Sequence, residues 1–365
     1  MLFKYVEELF RFLERSREWR GFSVVVMPDF FLDRFISYEG DVKDFYKVLS
    51  EVAGRKGGSI NSIRQMDFRG GNAANTAAAL AVLGAKVYPI LDTSPLGLNL
   101  LKYYLQPYGV DLSYVKAEGE TSITTAIELI HRKEKVNVMM RDLGSLAKFG
   151  PSDLTLRDYQ LLEEVDYACV FNWAGTQLYG TELARVVFSH VKEKGKGKTY
   201  YDTADPTPNR GKISTLVKDV LSTGLVDILS LNENEAVQYA FQLDPQRVGE
   251  LQKGMKLDEL AKECGRILAQ NLTARIDLHA TTYAGTFTRD KETIVPAFKV
   301  PVKRITGAGD AWNAANLYAD ANEFSDTLRL TFANAVAAYY ISNQRIEHPT
   351  LPLLKNFLRK QGHRS

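Results

Sequence analysis

The feature that most limits the possible folds is a regular alternation of helical and strand-like patterns from residue 153 onward. Short apolar runs rich in β-branched and aromatic residues are separated by longer segments with apolar residues at helical spacing. Strands that alternate with helices usually pair in parallel and are covered by helices on both faces. The chain therefore predicts an α/β fold around a mostly parallel sheet. The predicted strands cover 167–171, 199–202, 227–231 and 275–279, and the predicted helices cover 153–164, 180–193, 212–221 and 256–271.

The amino-terminal part predicts further elements of the same fold. Apolar residues at helical spacing predict an amphipathic helix over 2–19, and buried strands are predicted at 22–27 and 86–91. The alanine-rich run 73–81 predicts a helix whose small residues allow close packing against a neighbour.

Two segments depart from the alternation and predict a second, smaller sheet. Residues 37–69 are mixed and polar, and 122–141 predicts two strands joined by a charged turn at 131–135. We expect these strands to pair as a lid over the main layer, roughly over 34–68 and 112–142. The exposed edges of such a sheet also predict pairing with a second copy of the chain.

The overall composition excludes several classes of function. The 365 residues are 45% hydrophobic and 25% charged, as in ordinary soluble proteins. Because 46 Lys and Arg nearly balance 44 Asp and Glu, we expect neither nucleic acid nor a membrane surface as partner. Cys169 and Cys264 lie far apart in apolar or helical runs, which predicts reduced packing residues rather than metal ligands.

The sequence also predicts a cytoplasmic location. Charges at Lys4, Glu7 and Arg11 interrupt any signal-peptide core, and no apolar run reaches the roughly 18 residues of a membrane span.

The turn at 304–310 is the strongest candidate for chemistry. It lies between an apolar, strand-like run at 297–302 and a helical run at 311–321. Gly307 and Gly309 flank one alanine, so successive backbone N–H groups can face one small space. Free N–H groups at a helix start favour an anion.

Asp310 follows this turn directly. A carboxylate beside an anion site suggests a base that deprotonates a hydroxyl attacking phosphorus. The alternative is a glycine-rich turn in which Asp310 only favours the helix start.

Two further stretches begin helices and carry polar groups. Gly70 and Gly71 precede Asn72 and Asn75, which share a helix face. Asn232 and Glu235, after the strand at 227–231, fit either a metal site or a helix capping box. We expect one parallel sheet to carry the stretches starting at 70 and 232 along its carboxyl edge, with the turn at 304–310 nearby.

Together these stretches resemble the signatures of the ribokinase-like (PfkB) family of carbohydrate and nucleoside kinases. Gly-Gly-Asn-Ala-Ala-Asn-Thr-Ala at 70–77 is similar to the first signature, and Thr-Gly-Ala-Gly-Asp at 306–310 is similar to the second. Asn-Glu-Asn-Glu at 232–235 is similar to the Asn-x-x-Glu motif. The resemblance spans about 22–345, leaving 1–21 as a helical extension of a kinase domain over 22–365.

The resemblance implies a three-layer sandwich with a small β-sheet lid. It also implies phosphoryl transfer from a nucleotide, ATP or alternatively ADP, to a hydroxyl of a sugar or sugar-like molecule, with Mg²⁺ as cofactor. Asp310 would be the base and the amides of Gly307, Ala308 and Gly309 the anion hole. The other implied contacts are Asp33, Gly70, Gly71, Asn75 and Asn172 for the substrate, Thr306, Gly307, Gly309 and Asn334 for the nucleotide, and Asn232 and Glu235 for Mg²⁺.

Two departures and two alternatives accompany the resemblance. Arg304 stands where the family usually has an acidic residue, and 279–285 lacks the family's Thr-x-Gly nucleotide loop. A nucleoside kinase is the alternative within the family. A non-catalytic sugar or nucleotide sensor is the alternative outside it, although such a protein would lack the base or the anion hole.

Overall fold

The computed structural model describes residues 2–15, 19–303, 306–343 and 347–362. The strands are β1 (Ser23–Met27), β2 (Phe31–Asp41), β3 (Arg64–Gly70), β4 (Lys86–Pro89), β5 (Ser122–His131), β6 (Glu134–Asp142), β7 (Tyr167–Phe171), β8 (Lys198–Asp202), β9 (Ile228–Leu231), β10 (Arg275–His279), β11 (Tyr283–Phe287) and β12 (Glu292–Pro296). The helices are α1 (Leu2–Arg15), α2 (Val42–Gly54), α3 (Asn72–Val82), α4 (Pro95–Leu105), α5 (Leu156–Glu164), α6 (Gly180–Lys194), α7 (Ile213–Asp219), α8 (Glu233–Leu243), α9 (Pro245–Leu251), α10 (Leu257–Asn271), α11 (Ala308–Ala321), α12 (Asp326–Ser342) and α13 (Leu351–Gly362).

An eight-stranded sheet forms the middle layer, in the order β12-β11-β10-β9-β8-β7-β1-β4. The strands from β10 to β4 are parallel, and β11 and β12 extend the sheet as an antiparallel hairpin. Successive residues of β1 enter opposite apolar clusters: Val24 and Val26 pack with α3 and α11, whereas Val25 and Met27 pack with the α6 side. The predicted three-layer α/β architecture is therefore confirmed.

A separate four-stranded sheet has the order β3-β2-β5-β6, with β2 and β5 parallel and the outer pairs antiparallel. It combines strands from the two segments that were expected to pair, so the second sheet is also confirmed. Its role as a lid stays a prediction.

Two expectations about strands are wrong. Gly70 ends β3, which belongs to the small sheet, so the stretch that begins there is not carried by the parallel sheet. The apolar run 297–302 forms no strand, because β12 already ends at Pro296 and the following residues pair with no neighbouring strand. The hairpin strands β11 and β12 were both missed, because each is a run of only five residues and β11 contains a glycine, so the pattern resembles a loop.

In the described part of the chain, no helix combines the length and apolar character needed to cross a membrane.

Helix α11 carries polar side chains on the face that packs against the sheet. Asn313 donates from Nδ2 to Asp202 Oδ2 at 2.6 Å, and Asn316 donates from Nδ2 to Asp277 Oδ2 at 2.8 Å. Farther along the helix, Lys198 donates to Asp320 at 2.7 Å. These bonds fix α11 along its axis, because a shift by one residue would break all of them.

Asp277 forms a buried ion pair within this network. Arg329 donates from Nη1 to Asp277 Oδ2 at 2.9 Å, and the two side chains are 1% and 0% exposed. Burial acts to raise the pKa of Asp277, but the charges of Arg275 and Arg329 outweigh it and hold that pKa below its usual range. The pair therefore stabilises the fold above the ordinary aspartate pKa, and this contribution is lost as the pH falls below it.

We expect Arg329→Met to lower the free energy of unfolding by about 3–5 kcal/mol, because it leaves a buried carboxylate without one of its cations. Urea denaturation at neutral pH measures this loss. The control is Arg266→Met, which removes partly exposed pairs with Glu292 and Glu263 and should cost less than about 1 kcal/mol. Equal losses in the two variants would contradict a special role for the buried pair.

Candidate active site

A cavity of about 630 Å³ lies at the carboxyl ends of the central strands. Five neighbouring strands each bring one polar residue to it, at the strand end or just beyond. These residues are Asp29 after β1, Asn172 after β7, Asp202 in β8, Asn232 after β9 and His279 in β10. This is where parallel α/β sheets bind their ligands.

The small sheet forms another wall of the cavity. Asp33 in β2, Thr124 in β5 and Arg141 in β6 are cross-strand neighbours, so all three side chains share one face. Phe31 and Leu143 extend the same face at two-residue spacing. Arg141 is the one Lys or Arg among the described residues of this lining, which also contains six carboxylates.

Asp310 lies in the first turn of α11, and its side chain is held from two sides. Its Oδ1 accepts from Asn72 Nδ2 at 2.8 Å, and its Oδ2 accepts from Asn75 Nδ2 at 2.9 Å. Burial, together with the charges of Asp202 and Asp29, raises its pKa to about 8 despite these two hydrogen bonds. A carboxylate with this pKa is suited to accept a proton near neutral pH.

The turn before Asp310 has no room for larger side chains. Gly307 has φ +87°, and a Cβ there would lie 2.7 Å from the hydroxyl of Tyr340. A Cβ on Gly309 would lie 3.3 Å from Cε1 of His279. The amino-terminal end of α11 therefore reaches the cavity with its backbone exposed to a ligand.

Asp29 fixes the start of α3 from inside the protein. It is fully buried and accepts from the backbone N–H groups of Asn72 and Ala73 at 2.8 Å each. It also accepts from Asn172 Nδ2 at 2.8 Å. Asp29 thereby positions the helix that supplies both amide donors to Asp310.

Asn232 and Glu235 form the capping box that one reading of the sequence predicted. Glu235 N donates to Asn232 Oδ1 at 3.0 Å, and Asn232 N donates to Glu235 Oε2 at 2.9 Å. Burial and the nearby charge of Asp202 raise the pKa of Glu235 well above its usual range.

Among the described residues, no group of three or more His, Cys, Asp or Glu side chains is arranged to hold a metal ion.

Most predicted site residues come together in this cavity, whereas two do not line it. The predicted residues that line it are Asp33, Gly71, Asn75, Asn172, Asn232, Glu235, Thr306, Gly307, Ala308, Gly309 and Asp310. Gly70 lies beneath Asp33, where a side chain would overlap the Asp33 carboxylate. Asn334 accepts from Trp312 Nε1 at 2.9 Å and donates to the Pro296 carbonyl at 3.2 Å, so its amide is used inside the protein. Arg304 lies outside the described residues.

Sequence reasoning missed Asp29, Asp202 and His279 as site residues. Asp202 and His279 were placed at predicted strand ends, and the rule that ligands gather there would have selected them. His279 also packs on Trp312, with the ring centroids 5.1 Å apart. Asp29 follows the predicted strand at 22–27 after Pro28, so the same rule applies to it.

A search of curated protein sequences finds no match for this chain. Solved structures with the same fold include Cryptococcus neoformans var. grubii serotype A ribokinase in complex with ADP, at 17% identity, TM-score 0.67, and coverage of 94% of this chain and 99% of that one. Sinorhizobium meliloti adenosine kinase has 16% identity and TM-score 0.68, with coverage of 94% of this chain and 100% of that one. Arabidopsis thaliana ribokinase complexed with ribose and ATP has 18% identity and TM-score 0.66, with coverage of 95% of this chain and 100% of that one.

The sequence model of the pfkB family carbohydrate kinases matches residues 51–351, which include all three motifs. The matched region is most of the chain, and the fold around it is that of ribokinases and nucleoside kinases. The protein therefore belongs to the pfkB family of carbohydrate kinases.

Proposed function

We propose that this kinase transfers a phosphoryl group from ATP to a hydroxyl of a sugar, with Asp310 as the general base. The observation that carries the proposal is the position of Asp310: a buried carboxylate with a pKa of about 8, directly after a glycine turn that faces the cavity. The base removes the hydroxyl proton as the oxygen attacks the terminal phosphorus, and the phosphorus–oxygen bond to the nucleotide diphosphate breaks.

The amides of Gly307, Ala308 and Gly309 serve as the anion hole. Charge spreads over the equatorial oxygens during phosphoryl transfer, and N–H groups at a helix start are aimed at such charge without reorganisation. Asn72 and Asn75 hold the Asp310 carboxylate in place.

The residues also fit a Mg²⁺ ion near Asn232 and Glu235. Glu235, Asp202 and Asp205 all line the cavity, and the charges of the two aspartates oppose ionisation of Glu235. A divalent cation relieves this repulsion, and Mg²⁺ needs only one or two carboxylates because it keeps several waters. When bound, the ion neutralises charge on the transferred phosphates.

The substrate side favours a polyhydroxylated acceptor. Asp33 and Thr124 present oxygen acceptors and a hydroxyl donor to the cavity, which Asn172 also lines, and such groups suit a sugar. A nucleoside is the second candidate acceptor, supported by the fold shared with the adenosine kinase. A sensor without catalysis is disfavoured because the base and both glycines are present.

The proposed setting is a cytoplasmic enzyme that pairs through its small sheet. Strand β6 lies at the edge of that sheet, and Val138 and Met140 on it are 48% and 53% exposed. An apolar edge strand gains from pairing with a second copy.

We expect a coupled assay to detect phosphorylation of at least one compound among sugars, sugar phosphates, sugar acids, polyols and nucleosides. ATP and ADP are tested in parallel as donors, each with and without Mg²⁺. Turnover should depend on Mg²⁺ and favour a sugar. Nucleotide binding by calorimetry without turnover on any acceptor would instead support the sensor.

With that acceptor, Asp310→Asn should lower kcat by at least about 100-fold, because the amide cannot take the proton. Steady-state kinetics should show a much smaller change in KM. The matched control is Asp290→Asn, an exposed aspartate in the β11–β12 turn, which should keep wild-type kinetics. Near-normal turnover in Asp310→Asn would exclude Asp310 as the base.

The pH dependence follows from the raised pKa of Asp310. Since the base works only when deprotonated, kcat/KM should rise with pH and level off above about pH 8. Initial rates with both substrates far below saturation report on the free enzyme, and circular dichroism verifies the fold at each pH. A flat profile of kcat/KM between about pH 6 and 9 would contradict a base with the raised pKa of Asp310.

A further inference from the structure

Arg69 is the last side chain of β3 before the two glycines, and it contacts the residue that holds Asp310. Its Nε donates to Asn75 Oδ1 at 3.1 Å, and Asn75 Nδ2 donates to Asp310 Oδ2 at 2.9 Å. The guanidinium and the carboxylate are thus joined through one amide group.

This arrangement fixes the orientation of the Asn75 amide. A guanidinium has only donors, so it selects the oxygen of the amide. The amide nitrogen then faces Asp310. With the amide turned over, two donors would meet at Arg69 and two acceptors would meet at Asp310, so both contacts would become unfavourable.

The outer end of Arg69 is held by the carboxyl-terminal segment. Arg69 Nη2 lies 3.5 Å from Nε2 of His348. Burial, together with the charge of Arg69, lowers the pKa of His348 to about 3, so the ring is neutral and Nε2 accepts. His348 stacks on Tyr340, with centroids 4.7 Å apart, and the Tyr340 hydroxyl lies against Gly307.

Arg69 also balances the charges around the base. Asp29 after β1 and Asp202 in β8 are the acids whose charges oppose ionisation of Asp310. Burial lowers the pKa of His279 in β10, whose ring lies next to Gly309. Arg69 forms no ion pair within the described chain. Burial lowers its pKa, and the charge of Asp310 acts in the opposite direction by favouring the protonated guanidinium. By reciprocity, the cation favours the ionised form of Asp310.

We propose that Arg69 is the positioning residue of the catalytic base: it orients the Asn75 amide toward Asp310, and His348 holds Arg69 in place. The proposal rests on the proposed function, because it assigns Asp310 as the base. Arg69 need not touch the substrate, and it does not line the cavity.

The simpler alternative is that Arg69 only ties the carboxyl-terminal segment to the body of the protein. A tie of this kind affects stability, but it leaves the protonation of Asp310 unchanged. The pH profile therefore separates the two roles.

The experiment compares Arg69→Met and Arg69→Lys with wild type. Arg69→Met should lower kcat by roughly 10-fold and move the midpoint of the kcat/KM profile up by about one pH unit. Arg69→Lys keeps the charge and should bring the midpoint most of the way back. His348→Phe keeps a ring on Tyr340 but removes the acceptor, so its midpoint should shift the same way by a smaller amount.

The matched control is Arg34→Met. Arg34 lies on the neighbouring strand β2 and pairs with Asp67 at 2.7 Å on the surface, so its loss should leave the midpoint unchanged. Thermal unfolding verifies that each variant is folded. Slower turnover of Arg69→Met with the wild-type midpoint would overturn the proposal and leave Arg69 as a structural tie. A wild-type midpoint in His348→Phe would overturn the part of the proposal in which His348 holds Arg69 in place.

A titration without turnover separates this proposal from the proposed function. Difference infrared spectroscopy follows the Asp310 carboxyl, assigned by its loss in Asp310→Asn. Its pKa should rise in Arg69→Met even if no acceptor is found, and an unchanged pKa would overturn the proposal. If no acceptor is phosphorylated but the pKa of Asp310 is shifted in Arg69→Met, the result would count against the kinase function alone.

Discussion

The structure depends on a polar contact surface between α11 and the central sheet. Asn313, Asn316 and Asp320 lie on the sheet-facing side of a helix that is otherwise buried among apolar residues. Buried amides and carboxylates are costly unless they are paired, so the helix has one low-energy position along its axis. Since Asp310 is in the first turn of this helix, that position also sets the location of the proposed base.

Contacts of this kind account for two of the acids in the site. Asp202 is needed to hold Asn313, and Asp29 is needed to hold the start of α3. Both carboxylates raise the pKa of Asp310 as a consequence of their structural roles. The raised pKa of the proposed base therefore comes from its burial together with the charges of the acids that position the two helices around it.

The sequence predicts the layers and the motifs well, but it does not predict the supporting contacts. Strand and helix periodicity placed the central sheet, and the glycine turns placed Gly71 and Gly307 at the cavity. Polar residues within a helical pattern normally face solvent, so Asn313 and Asn316 gave no sign that they face the sheet. Arg69 depends on His348, which lies 279 positions away, and no local pattern encodes such a partner.

The small sheet and α3 form two walls of the cavity, and the chain passes from one to the other through a short joint at Gly70 and Gly71. Only Gly71 separates the last residue of β3, Gly70, from the first residue of α3, Asn72. Gly71 has φ +92°, and a Cβ there would lie 2.9 Å from the Asp29 carbonyl oxygen. The start of α3 is thus anchored to β1 through Asp29, whereas β3 belongs to the sheet on the substrate side. Arg69, on the β3 side of the joint, bonds across it to Asn75 on α3. The proposed base is consequently held by α3, which Asp29 anchors beside the central sheet, and the small sheet reaches it through Arg69 and the Asn75 amide.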